Sequence, residues 1–367
     1  MAPRLGSRSR IAQGPEGCAQ IPGGAGFAPA PRGATSLHSP APARRWRGPH
    51  PFSPRCPLQP IPASRSVQTF RDSAEQERGL AGWSQRYVQS EPGAYRGAID
   101  RLSLPGLTIS RERLEIGVEQ STAPPEGKVI FVQALAAPAP WRFNAESCAG
   151  GLTGFIRGGE EHLAELPAGT EILMVEADAE AFAAGQGVPA GRMALDAAFL
   201  ALPEAAEMRA LAEWFVMLLD APGAVSALIP ELAFYNLGKL WHRARFGAAF
   251  HGGAARRDYR LFRRAEALLR RGELETPSVT VLARELGVPV AELRRAFAQS
   301  VGIGPVDWLR RQRFDGARRD LRAASEDTTV TEVAMKWGFV HLGRFSTGYA
   351  AHFGEPPSAT LRAARAR

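Results

Sequence analysis

The sequence predicts an α+β chain: a β-barrel or sandwich with helices after it, then an all-α domain holding two helix-turn-helix units. Two observations carry this expectation. Short apolar runs bounded by Gly and Pro fill the first half, from about Trp83 to Ala177. A near-repeat fills the last ninety residues, where Ala283 and Gly287 recur as Ala334 and Gly338 at an offset of 51. Phe297, Gly302 and Pro305 recur as Tyr349, Gly354 and Pro357 at an offset of 52, so one residue is absorbed at a turn.

The opening segment, residues 1–66, is dominated by Pro, Gly, Ala, Ser and Arg, without periodicity. Such a stretch cannot bury a core, and it has no apolar stretch of the kind that marks a secretory signal. It reads either as a disordered basic arm or as upstream sequence, with the true start near Val67. Residues 67–253 read as a sensing and dimerisation domain, with strands at about 100–180 and helices at about 195–248. Leu107 to Val118 alternates in part, and "KVIFVQAL", "GLTGFIRGG" and "TEILMVEA" are β-rich runs. Helices are expected over Ala205–Leu219 and Ser226–Phe246. In the second, Leu228, Leu232 and Tyr235 share one face, which is either core-directed or a homodimer contact.

In the first copy of the repeat, Val279, Leu282 and Leu286 make one helical face. Gly287 supplies the left-handed stop, and Pro289 opens the next helix over Val290–Ser300. There Leu293, Ala296 and Phe297 point inward, while Ala291, Glu292, Arg294, Arg295, Ala298 and Gln299 lie outside. In the second copy, Thr329 or Thr331 caps a helix carrying Val333, Ala334 and Trp337. The following helix, about His341–His352, buries Phe345 and Tyr349 and exposes His341, Leu342, Gly343, Arg344 and Thr347. Between the copies, Pro305 to about Arg322 reads as one helix with Val306, Leu309, Ala317 and Leu321 as its stripe and Gly316 as a flaw. At 1.5 Å per residue it spans roughly 25 Å, a rigid spacer for two helices entering successive major-groove segments ~34 Å apart.

Charge is partitioned along the chain. Residues 1–66 sum to +8, 67–253 to −8 and 254–367 to +8, which gives the total of +8. A basic C-terminal third suits a polyanion, whereas the acidic middle argues against DNA contact there. The three cysteines, Cys18, Cys56 and Cys148, show no metal spacing or disulfide framework, so the reading is a reducing cytoplasm. No apolar stretch reaches the length of a membrane span. Glu160, Glu161, His162 and Glu165 make only half a metal set, so no metal or cofactor is expected. Trp141, Phe143 and Phe155 line either a ligand pocket or the core, with core the default.

The stretches "LARELGVPVAELRRAFAQSVGIGPVDWLRRQRF" and "VTEVAMKWGFVHLGRFSTGYAAHFGEPPSATLR" resemble the signature of the AraC/XylS family of bacterial transcription regulators. That resemblance covers about residues 258–362 and implies a seven-helix DNA-binding domain, with its units at about 279–300 and 331–353. It further implies base reading through Ala291, Arg294 and Arg295 in the first unit, and through Leu342, Gly343, Arg344 and Thr347 in the second. Two departures stand out: Thr347 replaces a common arginine and Thr360 a common aromatic. A looser likeness makes the middle domain a cupin-like effector sensor, with "RGGEEHLAELPAGTEILMV" as its hairpin. The expectation is a cytoplasmic, nucleoid-associated, ligand-responsive activator of a catabolic or stress operon. Its partners would be double-stranded promoter DNA, RNA polymerase and an unidentified small effector. Two rival readings remain: an enzyme or repair protein fused to a DNA-binding domain, which needs a nucleophile or metal cluster that is not seen, and a ligand-free architectural protein. Two adjacent arginines against one lead to the expectation that the first unit sets specificity and the second anchors or gates.

Overall fold

The computed structural model describes residues 60–138, 140–148, 153–187, 199–201, 206–221, 223–246, 253–271 and 278–366. Strand β1, Ser64–Phe70, begins inside the segment expected to be an extension, and Arg65 donates to the Leu218 carbonyl at 2.8 Å. Strand β1 therefore runs across the boundary expected at residue 67. Cys18 and Cys56 lie outside the described residues.

The β domain has two sheets. The seven-stranded sheet runs β1, β3 (Gly97–Leu104), β4 (Leu107–Leu114), β11 (Thr170–Asp178), β6 (Lys128–Ala136), β9 (Thr153–Arg157) and β12 (Phe199–Ala201). The five-stranded sheet runs β2 (Ser84–Gln89), β5 (Val118–Ala123), β10 (His162–Leu166), β7 (Trp141–Phe143) and β8 (Glu146–Cys148). A short helix, α1 (Ser73–Gln76), follows β1 and is capped by Asp72.

At the centre of the large sheet both faces are buried, which explains why β6 and β11 read as continuous apolar runs. Side chains alternate across a strand. Ile130, Val132, Ile172 and Met174 point between the sheets, with Tyr87, Val118 and Leu166 from the other layer. Val129, Phe131, Leu173 and Val175 point outward under helices α2 (Ala179–Gly185), α3 (Ala206–Asp220) and α4 (Leu228–Phe246). Those helices close this second core with Phe182, Phe215, Leu237 and Trp241.

Two expectations are corrected here, and a third reading takes its default. The hairpin over residues 157–175 is not one. β10 pairs with β5 and β7, and β11 with β4 and β6, so the chain crosses between sheets through Pro167–Gly169. The left-handed backbone at Gly169, φ 78°, makes that tight crossing accessible. Helix α2 and strand β12 lie where the sequence pattern showed neither. Trp141, Phe143 and Phe155 are all buried, the first two between the sheets and Phe155 beneath the helices.

The C-terminal helices among the described residues are α5 (Gly253–Arg270), α6 (Val279–Leu286), α7 (Val290–Val301), α8 (Pro305–Arg322), α9 (Val330–Lys336), α10 (Leu342–Phe353) and α11 (Pro357–Arg365). They enclose two cores. Phe262, Phe297 and Trp308 meet edge to face in the first, with centroids 4.9–5.6 Å apart. Phe314, Phe345, Tyr349 and Phe353 fill the second. Val306 faces solvent, 62% exposed, and Trp308 takes the inward place expected of it. Gly316 is no flaw: a Cβ there would stand 2.1 Å from Trp337, whose indole donates to Asp320.

Candidate nucleic-acid interface

The repeat holds at the level of single hydrogen bonds. Gly287 and Gly338 adopt φ 67° and 75°, and each ends its helix with the same pair of backbone bonds. The amide of Gly287 donates to Arg284 and that of Val288 to Ala283 at 3.0 Å. In the second copy Gly338 donates to Met335 and Phe339 to Ala334 at 2.9 Å. A side chain with a Cβ resists this left-handed turn, which is why both copies carry glycine. The entry caps differ. Ser278 accepts from the Val281 amide in the first, whereas Thr329 and Glu332 form a reciprocal capping box in the second.

These turns place α7 and α10 with one apolar face inward and one polar face in solvent. On α7, Leu293, Ala296 and Phe297 are buried. Ala291, Arg294, Arg295 and Gln299 are exposed, and Glu292 is half-buried. On α10, Phe345 and Tyr349 are buried, whereas Leu342, Gly343, Arg344 and Thr347 are exposed, with His341 at the N-cap. Apart from half-buried Glu292 and the N-cap His341, the residues nominated from the sequence thus lie exposed on one of two outward helix faces.

The arginines are not equivalent. Arg295 pairs with Asp258 of α5, its Nε and Nη2 each 3.2 Å from a carboxylate oxygen, and that bond raises its pKa further. Arg294 and Arg344 form no ion pair among the described residues. Each helix therefore offers one uncommitted guanidinium, the group that best matches the O6/N7 edge of guanine. Thr360 has a plain structural role: its hydroxyl is shared with Tyr349 at 2.9 Å and donates to Glu355, so a small polar residue fits where an aromatic was expected.

Sequence reasoning missed the charged face of α8. Arg318 donates to Asp72 at 2.7 Å, and Arg319 holds Glu77. Arg322 lies 3.0 Å from Asp72, and Arg311 donates to Glu165 at 3.0 Å. Trp308 and Gln312 both donate to Glu119, at 2.7 and 2.9 Å. Burial, reinforced by Glu165 and opposed by Arg311, pushes the Glu119 carboxyl up to about 8. The second unit is also tied down, because the Gln89 amide donates to the His352 carbonyl at 2.9 Å. Burial holds the His352 ring down at about 4, so it stays neutral. The one signal for this docking was the opposition of an acidic middle to a basic C-terminal third.

His162 is buried against Phe143, with its Nδ1 3.1 Å from Asn144, and burial holds it at about 4. Among the described residues no cluster of His, Cys, Asp or Glu is arranged to hold a metal ion. Nor is any described helix long and apolar enough to cross a membrane.

Two outward helices on paired helix-turn-helix scaffolds, in a basic domain, define a double helix-turn-helix DNA-binding module. Residues 282–363 match the family model described as a helix-turn-helix domain. The chain is 43% identical over 86 residues to the probable thc operon regulatory protein of Rhodococcus erythropolis, covering 23% of this chain and 26% of that one. It is 38% identical over 71 residues to the XylDLEGF operon transcriptional activator of Pseudomonas putida, covering 19% and 22%. Among solved structures, a probable AraC family transcriptional regulator from Rhodopseudomonas palustris is 30% identical, covering 29% of this chain and 97% of that one, with a TM-score of 0.27. The C-terminal domain of the chain is thus similar to that of AraC/XylS-type transcription regulators. The chain spans about a quarter of the length of these curated relatives.

Proposed function

We propose that the chain is a ligand-responsive transcription activator that reads promoter DNA with α7 and α10 together. The single observation that carries this reading is the pair of outward faces, each with one uncommitted arginine, joined by a rigid 18-residue α8. At 1.5 Å per residue α8 spans roughly 27 Å, which suits two helices in successive major-groove segments of one DNA face. The bases are read by Ala291, Arg294 and Gln299 on α7, and by Leu342, Gly343, Arg344 and Thr347 on α10. Arg295, held by Asp258, contacts phosphate.

The β domain acts as the sensor in this reading, with a cupin-like arrangement of its two sheets, and no catalytic activity is assigned to it. Leu228, Leu232 and Tyr235 stand exposed on α4 and provide the homodimer contact. RNA polymerase is the further partner through which bound protein activates transcription, in the cytoplasm. Residues 258–362 form the unit that engages DNA.

A gel-shift titration of the purified chain on DNA upstream of its own gene, over a series of salt concentrations, tests the reading. Expected is binding at least ~1000-fold tighter than to random DNA, weakening steeply with salt. Equal affinity for both DNAs, or none for either, overturns it.

A further inference from the structure

Between the β domain and the second helix-turn-helix unit lies a crevice of about 530 Å³. That is within the range of sites that hold small organic molecules and far too small for a macromolecule. Four guanidiniums line it: Arg71 after β1, Arg96 before β3, and Arg318 and Arg322 on α8. Two of them are answered. Arg318 is held by Asp72 and Glu355, and Arg322 by Asp72 and Glu75. Arg71 and Arg96 are exposed and form no ion pair among the described residues. Four cations thus share three carboxylates, an arrangement that repels itself until a further anion enters.

The wall opposite is apolar. Phe353, with Arg318 stacked 4.5 Å over its ring, stands beside Ala363 and Ala364 of α11. Guanidinium groups suit planar carboxylate and tetrahedral phosphate oxygens alike, through paired N–H donors. An apolar wall beside such donors suits the hydrocarbon part of the same molecule. The outward faces of α7 and α10 do not line this space, so it is separate from the DNA-reading surface.

We propose that this crevice binds a small organic anion, a carboxylate or a phosphate ester. Its charge answers Arg71 and Arg96, and its apolar body lies against Phe353 and α11. The occupant touches the β domain and the end of α10 at once, so its binding is thermodynamically linked to the placement of the second unit. That regulatory meaning rests on the proposed function above; the binding site itself does not.

Calorimetric titration of the full chain, in chloride buffer at fixed ionic strength, tests the site with phenyl phosphate, phenylacetate and inorganic phosphate as probes. Expected is saturable one-to-one binding of phenyl phosphate or phenylacetate, and the tighter of the two identifies the charged group. Inorganic phosphate, lacking the apolar body, binds more weakly. The double variant Arg71→Ala/Arg96→Ala weakens binding by at least ~10-fold while its unfolding midpoint in chloride does not fall. Ala363→Trp, which fills the apolar side and keeps every arginine, also weakens it and decides the matter if the double variant fails to fold. Arg294→Ala/Arg344→Ala, on the DNA faces, leaves it unchanged. No saturable binding of any probe, or equal binding in the double variant, overturns the site. Probe binding without sequence-specific gel shifts would overturn the regulator reading and leave the site standing, and the reverse would overturn the site alone.

Discussion

The two helix-turn-helix units share a turn, bond for bond, but differ in what surrounds it. The first packs Phe297 against Phe262 of α5 and Trp308 of α8, and α5 also supplies Asp258, which occupies Arg295. The second packs Phe345 and Tyr349 against Phe314, opens with a capping box, and is tied to the β domain through His352. From sequence the first unit had the richer reading face, with two arginines against one. With Arg295 paired, the two outward faces are matched at one uncommitted arginine each, and the units differ in the helices and caps around them, since the first also meets the β domain through Leu163.

If the cores are separate, damage to one should leave the other intact. Phe297→Ala and Phe345→Ala each remove a fully buried ring and should cost about 3–5 kcal/mol. Hydrogen exchange should show lost protection in α6–α7 for the first and in α9–α10 for the second. Loss spread equally over both units in either variant would mean one cooperative core.

A smaller effect separates two glycines of the C-terminal domain, Gly316 on α8 and Gly343 on α10. Gly316→Ala drives a methyl against Trp337 and should cost about 1–3 kcal/mol. Gly343 has open space around its would-be Cβ, so Gly343→Ala should raise stability by about 0.5 kcal/mol. Chemical denaturation of both variants reads this, and similar values for the two would show that the Trp337 contact is not formed.

The attachment of α8 to the β domain has a pH signature. Unfolded, the Glu119 carboxyl titrates near ~4.3, whereas buried beside Glu165, Arg311 and Glu266 it is pushed up to about 8. The folded state holds the proton more tightly. Its contribution to stability is therefore full below ~4.3 and is lost as pH rises through about 8. The urea midpoint of the parent chain should fall between pH 5 and 8.5, and Glu119→Gln should flatten that slope. Identical slopes in the two chains would show that Glu119 does not titrate at this contact.

Which features could be read in advance follows from their range. The ends of α6, α8 and α10 were readable to within a residue, because 3.6-residue periodicity and the Gly and Pro stops are local signals. The outward residues of α7 and α10 followed from the same period. The crossing at Pro167–Gly169 was not readable, because two adjacent β runs look alike whether they pair or part. Gly316 looked like a defect because the reason for it, Trp337, arrives from another helix. Arg295 looked available because Asp258 lies 37 residues away in sequence. The α8 arginines were visible, but their partners on β2, β5, β10 and α1 were not.

The most direct measurement is the affinity of Arg294→Ala, Arg344→Ala and Arg295→Ala for one identified promoter site at fixed salt. Losses of about 1–3 kcal/mol for each of Arg294 and Arg344, with relaxed base preference at one distinct position apiece, are the predicted result. Arg295→Ala should lose less, and equally for specific and random DNA. A large, position-specific loss for Arg295 together with none for Arg344 would contradict the matched two-helix reading.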